Sequence, residues 1–133
     1  MPEHLTRSET ETTALAKELA RSLVAGDVLL LSGNLGAGKT AFVRGLAEGL
    51  GLDPEDVSSP TFTLVHEYRG GALTLYHADL YRLDRAATDE LGLEELQRGI
   101  LAIEWPDRLT HALPGARHVS IEILDGDERR IVW

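Results

Sequence analysis

Cysteine is absent from the 133 residues, which removes disulfides and thiolate metal sites. Basic residues are scarce. Lys and Arg total 13 against 22 Asp and Glu, the formal charge is −9, and lysine occurs only at positions 17 and 39. Phosphate backbones are gripped through clustered Lys and Arg, so this chain is not expected to bind nucleic acid directly, and any role in RNA chemistry would run through a protein partner. Long apolar runs are also missing: the longest, residues 28–31, is strand-sized against the roughly 18 residues of a membrane span. The N-terminal MPEHLTRSETE lacks the basic and then apolar segments of a signal peptide, and the expected location is cytoplasmic. What remains is ordinary globular composition, 43% hydrophobic and 26% charged, at a length that suits one domain over residues 1–133.

The first helix is expected to start at Ser8, because Ser8 and Glu11 have the S-x-x-E spacing that satisfies free backbone donors reciprocally. Leu15, Leu19 and Leu23 supply its apolar stripe, and Gly26 suits the stop. Val28 to Leu31 reads as a strand buried on both faces. A second helix is predicted over 40–50, with Phe42, Leu46 and Leu50 inward and Gly51 at its end. Period-two segments at 61–68 and 73–78 flank Gly70-Gly71 as a hairpin, and His66 and His77 on them read as sheet residues. A polar segment with weak helical pattern spans 85–97, then Ile100 to Ile103 forms another buried strand ending at Glu104. Segments 118–124 and 128–133 around Asp125-Gly126 suggest a last hairpin with a primed turn. The predicted class is a three-layer α/β, P-loop NTPase-like fold, with a mixed sheet of parallel core strands extended by antiparallel hairpins.

Chemistry concentrates between the first buried strand and the second helix. Gly33-Asn34-Leu35-Gly36-Ala37-Gly38-Lys39-Thr40 fits G-x-x-x-x-G-K-T in the strand-to-helix context that the motif requires. Backbone N–H groups from Leu35 to Thr40 would cradle phosphates, Lys39 would reach the β and γ groups of ATP, and the Thr40 hydroxyl would ligate Mg²⁺. Such a site needs an acid at a neighbouring strand end. Glu104 and Asp79 both qualify, with Glu104 standing where Asp is commoner. Thr61, entering a strand after Pro60, could bring its hydroxyl to the metal or γ phosphate, but from the residues alone it reads first as a plain strand-starting threonine. Asp89-Glu90-Leu91-Gly92 spells D-x-x-G, but without an N-K-x-D guanine reader it carries no weight.

With these blocks in place, the chain resembles the TsaE (YjeE) family, the ATPase component of bacterial tRNA threonylcarbamoyladenosine synthesis. The resemblance rests on GNLGAGKT at 33–40, SPTFTLVHEY at 59–68, YHADLYRL at 76–83 and IEWPDRL at 103–109. It implies that Thr40 and Glu104 hold Mg²⁺, that Asp79 takes part in hydrolysis, and that Thr61 senses the nucleotide. It further implies that Trp105 belongs to the site and that Ser8, Glu9 and an arginine of the last hairpin such as Arg130 contact the nucleotide. The implied partners are TsaD-like and TsaB-like proteins, the chain itself not transferring the threonylcarbamoyl group.

The resulting expectation is a Mg-dependent ATPase, slow alone because no arginine stands out as a finger, and faster when a partner completes the site. Two other readings use the same loop. One is a small-molecule kinase with Arg82 and Arg85 on a lid; the other is a nucleotide-gated assembly module without useful catalysis.

Overall fold

The computed structural model describes residues 3–34, 36–57, 65–71, 73–81, 83–90, 92–93, 98–109, 113 and 115–133. Seven strands form one mixed sheet: β1 (Glu3–Thr6), β2 (Val28–Ser32), β3 (Val65–Tyr68), β4 (Leu75–Asp79), β5 (Ile100–Glu104), β6 (Arg117–Ile123) and β7 (Arg129–Val132), in the spatial order β1-β7-β6-β2-β5-β4-β3. Pairings β6-β2, β2-β5 and β5-β4 are parallel, whereas β3 on one edge and β7 and β1 on the other run antiparallel. The expected parallel core with antiparallel extensions is therefore present at both edges. β6 itself belongs to the parallel core, a placement the hairpin pattern did not reveal.

The interior strands are apolar on both sides because both sides are covered. Leu29 and Leu31 of β2 pack with Ala102 of β5 under α1 (Glu9–Ala20) and α2 (Lys39–Gly49). Val28, Leu30, Leu101 and Ile103 face the opposite layer, where Leu80, Leu93 and Leu113 cover them. Phe42 and Leu46 of α2 are fully buried, each such side chain contributing roughly 1.5–3 kcal/mol. The apolar stripe assigned to α1 holds for Leu19, while Leu15 is only partly covered and Ala16 and Ala20 fill the tight approach to α2. Leu23, though buried, lies beyond the helix, which ends at Ala20 well before the expected stop at Gly26. The weak helix of 85–97 is realised as α3 (Arg85–Glu90); residues 94–97 lie outside the described residues.

Two local readings are realised, the first by half, since among the described residues the return bond from the Glu11 carboxylate to the Ser8 N–H is absent. Ser8 caps α1, its Oγ accepting from the Glu11 N–H at 3.1 Å. The last hairpin turns at Asp125–Glu128, where the Glu128 N–H donates to the Asp125 carbonyl and Gly126 has φ 55 at the first central position. The unforeseen element is β1. Its polar segment has no strand periodicity of its own and is a strand because β7 offers it an edge, Leu5 standing opposite Arg130. Among the described residues no helix is long and apolar enough to cross a membrane.

Candidate nucleotide site

The loop after β2 leads into α2 through two glycines held at positive φ, Gly36 at 80° and Gly38 at 104°. Any side chain there would be strained, although nothing lies within 4 Å to block a Cβ. The two helix starts differ. Ser8 occupies that of α1, whereas Gly38 gives α2 no side-chain cap and its first turn carries no acid. The opening N–H groups of α2, with the positive end of its dipole, are thus left for an anion.

Lys39 is buried at 5% exposure and donates from Nζ to the Gly33 carbonyl at 2.8 Å. Its ammonium also lies 3.7 Å from the ring centroid of Trp105. Burial pushes the Lys39 pKa below its ordinary 10.5, opposed by the charges of Glu104, Asp79 and Asp107 in that order. Trp105 has φ 60 and ψ 56, the one positive φ outside glycine among the described residues, and its ring tilts against Tyr81 at 4.8 Å between centroids. That backbone costs of order 1–3 kcal/mol for a bulky residue and turns the ring over the ammonium.

Glu104 ends β5 and Asp79 ends β4, and the two are register partners in a parallel pair. They project with Lys39, Thr40 and Trp105 into one cleft of about 270 Å³. Thr40 is half-buried in the first turn of α2. Asp79 Oδ1 accepts from the Tyr81 N–H at 3.0 Å. Glu104 is 3% exposed, and its Oε2 meets Nε2 of His77, which is fully buried. Among the described residues no group of three or more His, Cys, Asp or Glu lies together for a metal. A hydroxyl and one or two carboxylates are instead the sparse oxygen set that Mg²⁺ accepts when phosphates and water complete its shell, so the residues fit that ion.

A second hollow of about 120 Å³ adjoins the cleft, sharing Glu9, Gly36, Gly38 and Ala41, with Ser8, Asp127 and Arg129 also in its wall. Glu9, implied by the resemblance to contact the nucleotide, lines both hollows and forms an exposed ion pair with Arg44. Arg130 is not. Its guanidinium pairs with Glu3 and Glu122, on the sheet face away from the loop. Arg129, one residue earlier and so on the opposite face of β7, donates from Nε to the Ala37 carbonyl at 3.0 Å and from Nη1 to the carbonyls of Gly126 and Glu128. Holding the Ala37 carbonyl outward turns the Gly38 N–H of the same peptide unit the other way. If the loop holds a nucleotide, Arg129→Gln is expected to weaken its binding by about tenfold through loss of the charge-assisted hydrogen bond that reaches the loop, with Arg130→Gln within about twofold of wild type by calorimetry. Leu35, Thr61 and Arg82 lie outside the described residues. Arg85, offered to a lid, lines a separate hollow with Asp107 and His118.

The residue pattern could not have identified Arg129 over Arg130, since the choice depends on which face of β7 meets the loop. His77 was legible only as a sheet residue. Its contact with Glu104 depends on β4 lying beside β5.

A glycine loop joining a central parallel strand to an uncapped helix, beside acid-ended neighbouring strands, places the chain in the P-loop NTPase-like α/β class. The family described as "Threonylcarbamoyl adenosine biosynthesis protein TsaE" matches residues 6–132, and the chain belongs to it. The Bacillus subtilis tRNA threonylcarbamoyladenosine biosynthesis protein TsaE is 45% identical over 126 residues, 92% of this chain and 78% of the relative. That of Aquifex aeolicus is 42% identical over 132 residues, 98% of this chain and 94% of the relative. A crystal structure of Bacillus subtilis YdiB superposes with a TM-score of 0.80 at 39% identity, covering 98% of this chain and 82% of that one.

Proposed function

We propose that this member of the TsaE family binds ATP with Mg²⁺ at the loop and hydrolyses it slowly, in support of TsaD-like and TsaB-like partners that form threonylcarbamoyladenosine on tRNA. The reading rests on one observation above others: Lys39, Thr40, Asp79 and Glu104, from α2 and two neighbouring strands, converge on one cleft at an uncapped helix start.

Thr40 and Glu104 are the residues that would hold Mg²⁺, which when bound supplies neutralisation of charge on the β- and γ-phosphate oxygens. The backbone N–H groups after Gly36 orient the phosphates, and Lys39, leaving the Gly33 carbonyl and the Trp105 ring, places its ammonium against the charge on the transferred group. Asp79, held through Oδ1 by the Tyr81 N–H, orients water or accepts its proton. Arg129 is engaged with backbone carbonyls and Arg44 with Glu9 and the Val57 carbonyl, which is why the isolated chain is proposed to be slow.

Phosphate release from the chain alone and with both partners tests this. The expected result is a low basal rate that rises about tenfold or more in the mixture, the partner completing charge stabilisation. Equal rates would remove the partner-dependent part, and no Mg-dependent heat with ATP would remove the whole.

A further inference from the structure

The geometry points to His77 as a positioning residue that sets the orientation of Glu104 toward the cleft, an inference that rests on the proposed Mg²⁺-nucleotide reading. His77 lies on β4 opposite Ala102 of β5, two residues before Glu104 on the same face. Both side chains are almost entirely out of water, at 0% and 3% exposure. A buried carboxylate is costly unless paired. Among the described residues the side chain that hydrogen-bonds Glu104 is His77, through Nε2 on Oε2, while the Lys39 ammonium acts on it by charge alone.

The histidine has little else to do with its polar atoms. Its Nδ1 is buried and has no hydrogen-bond partner among the described residues. The imidazole is fixed by packing and directed at Glu104 alone. This bears on the unusual glutamate, which has one more torsion than aspartate and so more ways to point from the same strand end. Tying Oε2 back toward β4 selects one of them and leaves Oε1 to be presented where Glu104 lines the cleft. Groups that hold a metal-binding carboxylate in place typically influence metal affinity by 10–100-fold.

The experiment measures ATP binding by calorimetry on the full chain at stepped Mg²⁺ concentrations, with ligand-free unfolding in parallel. His77→Leu is expected to raise the Mg²⁺ concentration for half-maximal binding by about 10–100-fold. His77→Gln places an amide nitrogen at the reach of Nε2 and should return the curve to within about threefold of wild type, whereas His77→Asn reaches only as far as Nδ1 and should not. On a Glu104→Gln background, His77→Leu should change the Mg²⁺ curve by less than about twofold, the interaction having already been removed. If His77→Leu does not fold, the Gln and Asn pair and the double variant decide. The inference is overturned if His77→Leu keeps the wild-type Mg²⁺ curve and loses only stability, if Gln and Asn behave alike, or if the effect of Leu persists without Glu104. Mg-independent binding by the wild type would instead overturn the functional reading, and this inference with it.

Discussion

Lys39→Ala is expected to lower ATP affinity by about 100-fold, or about 2.7 kcal/mol. Charge-assisted hydrogen bonds contribute about 1.5–3 kcal/mol each, and the ammonium is the only lysine nitrogen in the cleft. The fold should survive. The variant loses a hydrogen bond to Gly33 and a contact with Trp105, but it also relieves the burial of a charge. The two effects oppose, so the melting temperature is expected to move by only a few degrees, about 1 kcal/mol either way. A pH signature separates this from simple damage. Because folding lowers the Lys39 pKa, the unfolded chain binds more protons between the lowered value and 10.5, and stability contributed by this group rises with pH through that alkaline window. Lys39→Met should lack that rise. An alanine variant that keeps the wild-type affinity would move the nucleotide to another site.

Gly45→Ala is expected to destabilise the protein by about 2 kcal/mol and lower its melting temperature by about 6–10 °C. Helix propensity alone forecasts the opposite, a gain approaching 1 kcal/mol from removing a mid-helix glycine. Packing decides the sign. A Cβ at Gly45 would stand 2.2 Å from the Thr13 carbonyl oxygen and 2.6 Å from Ala16 Cβ, and both belong to α1. A helix backbone cannot retreat as a flexible side chain can, so α1 must shift as a unit, at an overpacking cost of typically 1–3 kcal/mol and here near or above the upper end. Gly49 meets Ala20 and Lys17 in the same way one turn later. A melting temperature equal to or above wild type for Gly45→Ala would show that the helices are less closely apposed.

The parts legible in the sequence were those written in local code. Ser8 and Glu11, the loop at 33–40 and the run ending at Glu104 each carry their signal within a few residues, and the described residues of each, Leu35 lying outside them, stand between the expected elements. Non-local facts were not legible. β1 is a strand only because β7 is beside it, β6 joins the parallel core only because β2 accepts it, and Arg129 meets the loop only because of the face on which β7 sits. The convergence of Asp79 with Glu104 was inferred from two strand ends, and their exact pairing in register required the strand order. Trp105 was assigned to the site by resemblance. Its left-handed backbone and its place over Lys39 are products of the turn into Pro106 and have no signature in composition.

The placement of β7 has a consequence for how the protein matures on the ribosome. Synthesis runs at about 5–20 residues per second, so β1 waits on the order of ten seconds for the strand it pairs with. Arg129 arrives on that same late strand, and the carbonyl of Ala37 has no guanidinium to hold it until then. A nascent chain can thus present β2, α2 and β5 while this loop is still unbraced, and the arrival of β7 is what sets it.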